Sequence, residues 1–134
     1  MVLKERKLIT SAVFTLVTFS VLGVFTFFIA KESPKGEYKS LTYTSLPGIL
    51  TPRVLSSKEN WVMAHRAMSP YFTSLAVYFS LAAVVNEIVI FTANSYAGVV
   101  FRCSLFLGIT IFAVLVFLGD RVVAKHERRM GKTR

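Results

Sequence analysis

Three long apolar runs constrain this chain more than any other feature. Leu8 to Ala30 contains no charged residue. About 20 such residues cross a hydrocarbon core of about 30 Å as a helix. A cleavable signal would carry a shorter apolar stretch, about 7–15 residues, so this run is expected to be a permanent span. Pro70 to Ala93 holds one charge, Glu87, and Tyr96 to Gly119 holds one, Arg102. Asn94-Ser95 separates these two runs as a tight hairpin tip. A soluble domain of 134 residues that is 54% apolar, with 12 Phe and a mean hydropathy of +0.58, has too little interior to hide its apolar blocks. The expected fold is therefore an all-α membrane protein with spans at about 8–30, 70–93 and 96–119, forming a single integral membrane domain over 1–134.

Between the first two spans, residues 31–68 carry six Lys and Arg and three prolines, Pro34, Pro47 and Pro52. The stretch is too short and too broken to span, and is expected to be an extramembrane loop. Within it, Ser56 and Glu59 have capping-box spacing. They predict a short interfacial helix at about 57–67, with Trp61 as an anchor in the headgroup layer. Ser69-Pro70 predicts a separate start for the second span, a capping hydroxyl followed by proline. The basic tail, 120–134, is expected to continue the third helix beyond the membrane. His65 and His126 lie outside the spans and are expected to be solvated or to face headgroups.

The chain carries 16 Lys+Arg against 7 Asp+Glu, a net +9. Twelve of the basic residues fall in the loop and tail, and three precede the first span. The positive-inside rule then places loop and tail on the cytoplasmic or matrix side and the N-terminus outside. The basic head before the first span argues weakly the other way. Arg121, Lys125, Arg128 and Arg129 are candidate contacts to anionic lipid heads or to partners. No groove-reading or base-stacking motif supports nucleic-acid binding.

Glu87 and Arg102 lie equally far from the hairpin tip. At about 1.5 Å per residue both sit roughly 11 Å below it. An unpaired charge there costs at least about 2.5 kcal/mol, so an ion pair is expected, with Asn86 adding a hydrogen bond. Such a pair would fix the register of the second and third spans. The alternatives are a polar hook for another subunit and a proton or ion relay.

Ala76, Ser80, Ala83 and Glu87 fall on one stripe of the second span, and Ser104 and Gly108 on the third. Small residues allow the close backbone approach that membrane packing needs. The lone Cys103 forms no internal disulfide and reads as a packing residue. No intramembrane His pair, Cys/His cluster, Ser/His/Asp set or phosphate loop is present. No cofactor and no enzymatic activity are expected. Small size and packing faces point to an accessory or structural subunit of a multi-subunit membrane complex. An energy-converting membrane, such as the mitochondrial inner membrane, is slightly favoured. The alternative is a homo-oligomeric channel or transporter component with Glu87 in its polar pathway.

Overall fold

The computed structural model describes residues 2–131, so the last three residues of the basic tail lie outside it. Three helices dominate: α1 (Val2–Lys31), α2 (Lys58–Thr92) and α3 (Asn94–Gly131). All three are long and apolar enough to cross a membrane. The loop between α1 and α2 holds single 3-10 turns and a two-residue hairpin, β1 (Glu37–Tyr38) and β2 (Leu41–Thr42). The charge-poor segments 8–30, 70–93 and 96–119 are the crossing parts. α3 continues through the basic tail without a break as far as Gly131.

The interfacial helix and the second span expected at Ser69-Pro70 are one helix, not two. α2 runs 35 residues with Pro70 inside it, about 52 Å in length. Proline in a helix interior costs about 3 kcal/mol. Burying Trp61, Met68 and Phe72 contributes about 1.5–3 kcal/mol each, enough to carry the helix through. Ser69 does not cap. Its hydroxyl donates to the carbonyl of Ala30 at 2.8 Å, joining α2 to the end of α1. The N-cap is Ser57, whose Oγ accepts the Asn60 N–H at 3.1 Å, so the Ser56–Glu59 spacing is not the pair that caps. At the opposite end the break falls at Ala93, one residue before the expected tip. The Ala93 N–H closes α2 on Val89 O at 2.8 Å.

α2 is the central helix, and both α1 and α3 pack along it. Phe19 of α1 lies 6.2 Å from Phe79 of α2, and Phe72 of α2 lies 5.7 Å from Phe112 of α3. Phe101 joins the outer helices by stacking edge-on against Phe19. Gly108 is a true close approach, because a Cβ there would overlap the rings of Phe79 and Tyr78. Several hydroxyls in the spans bond back to their own helix, as Thr18 does to Phe14 O and Thr26 to Leu22 O, both at 2.8 Å. That satisfies them where no water is available.

Candidate functional site

A buried polar cluster lies where the loop folds over the start of α2. Trp61 is fully buried, and its indole N–H donates to Ser33 O at 2.8 Å. Ser33 in turn donates its hydroxyl to Pro47 O at 2.7 Å. One turn along α2, His65 is also fully buried and stacks on Trp61 at 3.9 Å. Its Nε2 accepts the Ile49 N–H at 2.9 Å, and Nδ1 lies 2.8 Å from Trp61 O. A nitrogen facing an N–H must carry a lone pair, so the network assigns a neutral ring protonated on Nδ1. Burial lowers the His65 pKa to about 4, against the opposing pull of the Trp61 carbonyl. The Pro47-Gly48-Ile49 turn closes directly over the ring. Gly48 has φ +151, and a Cβ on it would overlap the His65 ring.

These positions correct two expectations. The Trp61 indole N–H is held by protein rather than by water or lipid heads, and His65 is not solvated. The loop covers both, because its own polar backbone provides the partners that water or lipid heads would otherwise supply.

The same loop is tied to α3. Asp120 accepts the Thr51 hydroxyl and the Arg53 guanidinium, each at 2.6 Å. Arg53 also stands 3.4 Å from Glu127, which accepts from Asn60 Nδ2 at 3.2 Å. Partly exposed ion pairs contribute only about 0–1 kcal/mol. A hydrogen bond to a charged group contributes about 1.5–3 kcal/mol. Both contacts end on one charged carboxylate, but the Thr51 bond is part-buried and the Arg53 bond exposed, so solvent screening leaves Thr51 the stronger tie. No spacing in the sequence marks Asp120, which stands as one acid at the start of a basic tail.

Deeper in the membrane, Glu87 and Arg102 do not pair. Neither takes part in an ion pair among the described residues, and Glu87 Oε1 is buried with no hydrogen-bond partner. Asn86 makes the interhelical contact instead. Its Nδ2 donates to Ser104 Oγ at 3.2 Å and to Ala82 O at 2.8 Å. One residue turns a helix by about 100°, so Asn86 meeting α3 swings Glu87 away from it. Arg102 is on the exposed face of α3.

The expected packing stripe is shared between two neighbours. Ala76 and Ser80 lie against Gly23 of α1, and Ala83 is buried. Ser104 and Gly108 face α2, where Tyr78 donates its hydroxyl to Ser104 O at 2.7 Å. Of the tail cations, Arg121 lies 4.8 Å over the Phe117 ring. Arg121, Lys125 and Arg128 line a cavity of about 520 Å³ together with Arg53, and Arg129 is not part of that lining. Among the described residues no three His, Cys, Asp or Glu side chains gather to hold a metal.

Residues 41–122 match a family model, more than half of the chain. The chain belongs to the SdpI/YfhL protein family. This is a family of membrane proteins, in agreement with the three apolar helices. The SdpI/YfhL match takes in the second half of the loop, all of α2, and α3 as far as Val122. It therefore includes Ile49, Thr51, Trp61, His65 and Asp120, and leaves α1 with Ser33 outside. No curated protein and no solved structure matches the chain.

Proposed function

We propose that this SdpI/YfhL protein is a non-catalytic subunit of a larger membrane assembly. The observation that carries the reading is the unpartnered, buried Oε1 of Glu87, at the depth of an exposed Arg102. Ionisable groups inside a membrane are costly and mark a functional contact. Two such groups that do not satisfy each other within one chain are suited to donors and acceptors on a neighbour. The loop side supports a scaffolding role. Both nitrogens of His65 and both oxygens of Asp120 are engaged in holding the fold, leaving neither as a poised acid or base. The twelve basic residues of loop and tail support a cytoplasmic or matrix position for that side.

A photo-crosslinking amino acid at Val99 or Phe106, on the exposed face of α3 around Arg102, tests this in the native membrane. Discrete adducts with other membrane proteins are expected, and adducts with lipid alone would contradict the proposal. The same Glu87 oxygen also favours one rival, a polar pathway through a homo-oligomer. Under that reading Glu87→Gln abolishes ion flux while the oligomer stays intact. Under ours it weakens assembly.

A further inference from the structure

The cation-lined cavity has a second compartment beneath it. We infer that this chain holds one anionic phospholipid in a two-part site on its loop side, with the phosphate among Arg53, Lys125 and Arg128 and an acyl chain in the groove below.

Depth is the first argument. The crossing part of α3 ends at Gly119. Arg121, Lys125 and Arg128 follow on one helical face, spaced four and three residues apart. At about 1.5 Å per residue they stand roughly 3 to 13 Å past that point. The polar layer on each side of a bilayer is about 5–8 Å thick, so the backbone at Lys125 and Arg128 stands just beyond it, and helical side chains, which tilt toward the N-terminal end of their helix, carry both cations back toward the lipid phosphates.

Charge is the second. Arg53, Arg121, Lys125 and Arg128 line the upper cavity of about 520 Å³. Arg53 is countered by Asp120 and Glu127. Lys125 and Arg128 have no ion pair among the described residues. Four cations against two carboxylates leave the site two positive charges in excess, suited to a phosphate carrying one or two negative charges.

Shape is the third, and it selects lipid over a soluble phosphate. Arg53 also lines an adjoining cavity of about 490 Å³, walled by Ala113, Val116 and Phe117 with Thr51 and Pro52, and with Asp120 at its polar end beside Arg53. That groove runs along α3 within the crossing segment. A guanidinium shared by a cationic compartment and an apolar one fits a molecule with a charged head and a hydrocarbon tail. The site stands or falls independently of any protein partner.

The test is native mass spectrometry of delipidated full-length protein titrated with phosphatidylglycerol, phosphatidylcholine and water-soluble glycerol phosphate. Each cation removed at the headgroup level is expected to weaken anionic lipid about fivefold. Lys125→Gln with Arg128→Gln therefore loses about 25-fold for phosphatidylglycerol. Lys31→Gln with Lys39→Gln, cations elsewhere on the same side, loses nothing. Ala113→Trp fills the groove and weakens phosphatidylglycerol without touching the cations. The four tail and loop positions are exposed, and unchanged thermal unfolding of each variant confirms that it folds. Equal binding of phosphatidylglycerol and phosphatidylcholine overturns the inference, as does an unaffected double variant. Glycerol phosphate binding as tightly as phosphatidylglycerol would replace the lipid with a soluble phosphate and overturn it too.

Discussion

Ile49 gives its backbone N–H to Nε2 of His65 at 2.9 Å, across sixteen positions of sequence. That contact pins the Pro47–Ile49 turn onto α2. Ile49 is itself fully buried and reaches α3 at Gly119. One imidazole thus sets where the loop crosses the bundle, and the Thr51 and Arg53 ties to Asp120 follow from that position.

Protonating His65 is predicted to break the contact. Its pKa is about 4 in the folded protein against 6.5 for a free imidazole. A depressed pKa means that the unfolded chain binds the proton first. The stabilisation is therefore complete above about pH 6.5 and is lost as pH falls toward 4, roughly 3 kcal/mol in all. Thermal unfolding in detergent across that window should show the fall. His65→Phe, which keeps a stacked ring but cannot titrate, should flatten the profile and cost about 1–3 kcal/mol at neutral pH through the stranded Ile49 N–H. An unchanged slope in the variant would place the titration elsewhere.

Gly48→Ala tests the same turn from the loop. Its φ of +151 is poorly suited to an L side chain, and the new methyl meets the His65 ring. A loss of about 1–3 kcal/mol is expected, with faster proteolysis of the 44–52 stretch. Wild-type protease resistance would show that the turn does not depend on His65.

Asp120→Asn separates the two ties at the end of α3. The amide still accepts the Thr51 hydroxyl but loses most of its attraction for Arg53. A loss of about 1–2 kcal/mol is expected, from the weakened ion pair and from the Thr51 bond now ending on a neutral acceptor. Thr51→Val should cost more, about 1.5–3 kcal/mol. Chemical denaturation of both variants gives the order, and the reverse order would make the ion pair the main tie.

Glu87 and Arg102 are predicted to act independently of each other. Glu87→Gln, Arg102→Gln and the double variant should be additive within about 0.5 kcal/mol. A coupling of 1 kcal/mol or more in the double-mutant cycle would restore the ion pair that their equal depth invites.

The three spans are legible in the sequence because lipid permits only long uncharged stretches, and Leu8–Ala30 meets that condition outright. Depth was equally readable, since a fixed rise per residue sets Glu87 and Arg102 level. The direction each side chain faces was not. It depends on packing, and Asn86, one position round the helix, takes the contact with Ser104. The burial of Trp61 and His65 has no periodic signature either. It arises when Ser33 and Ile49, far off in sequence, fold back to supply a carbonyl and an N–H. Pro70 misled for a related reason, because burial on both sides of it outweighs its local cost.

The central claim is that this SdpI/YfhL chain works inside a larger assembly. Native mass spectrometry after gentle extraction from its own membrane tests it most directly. A fixed set of other subunits is expected to fly with the chain, and to be lost in Glu87→Gln. A chain that flies alone, or only with copies of itself, would contradict membership of a larger assembly and make Glu87 the first residue to examine for transport.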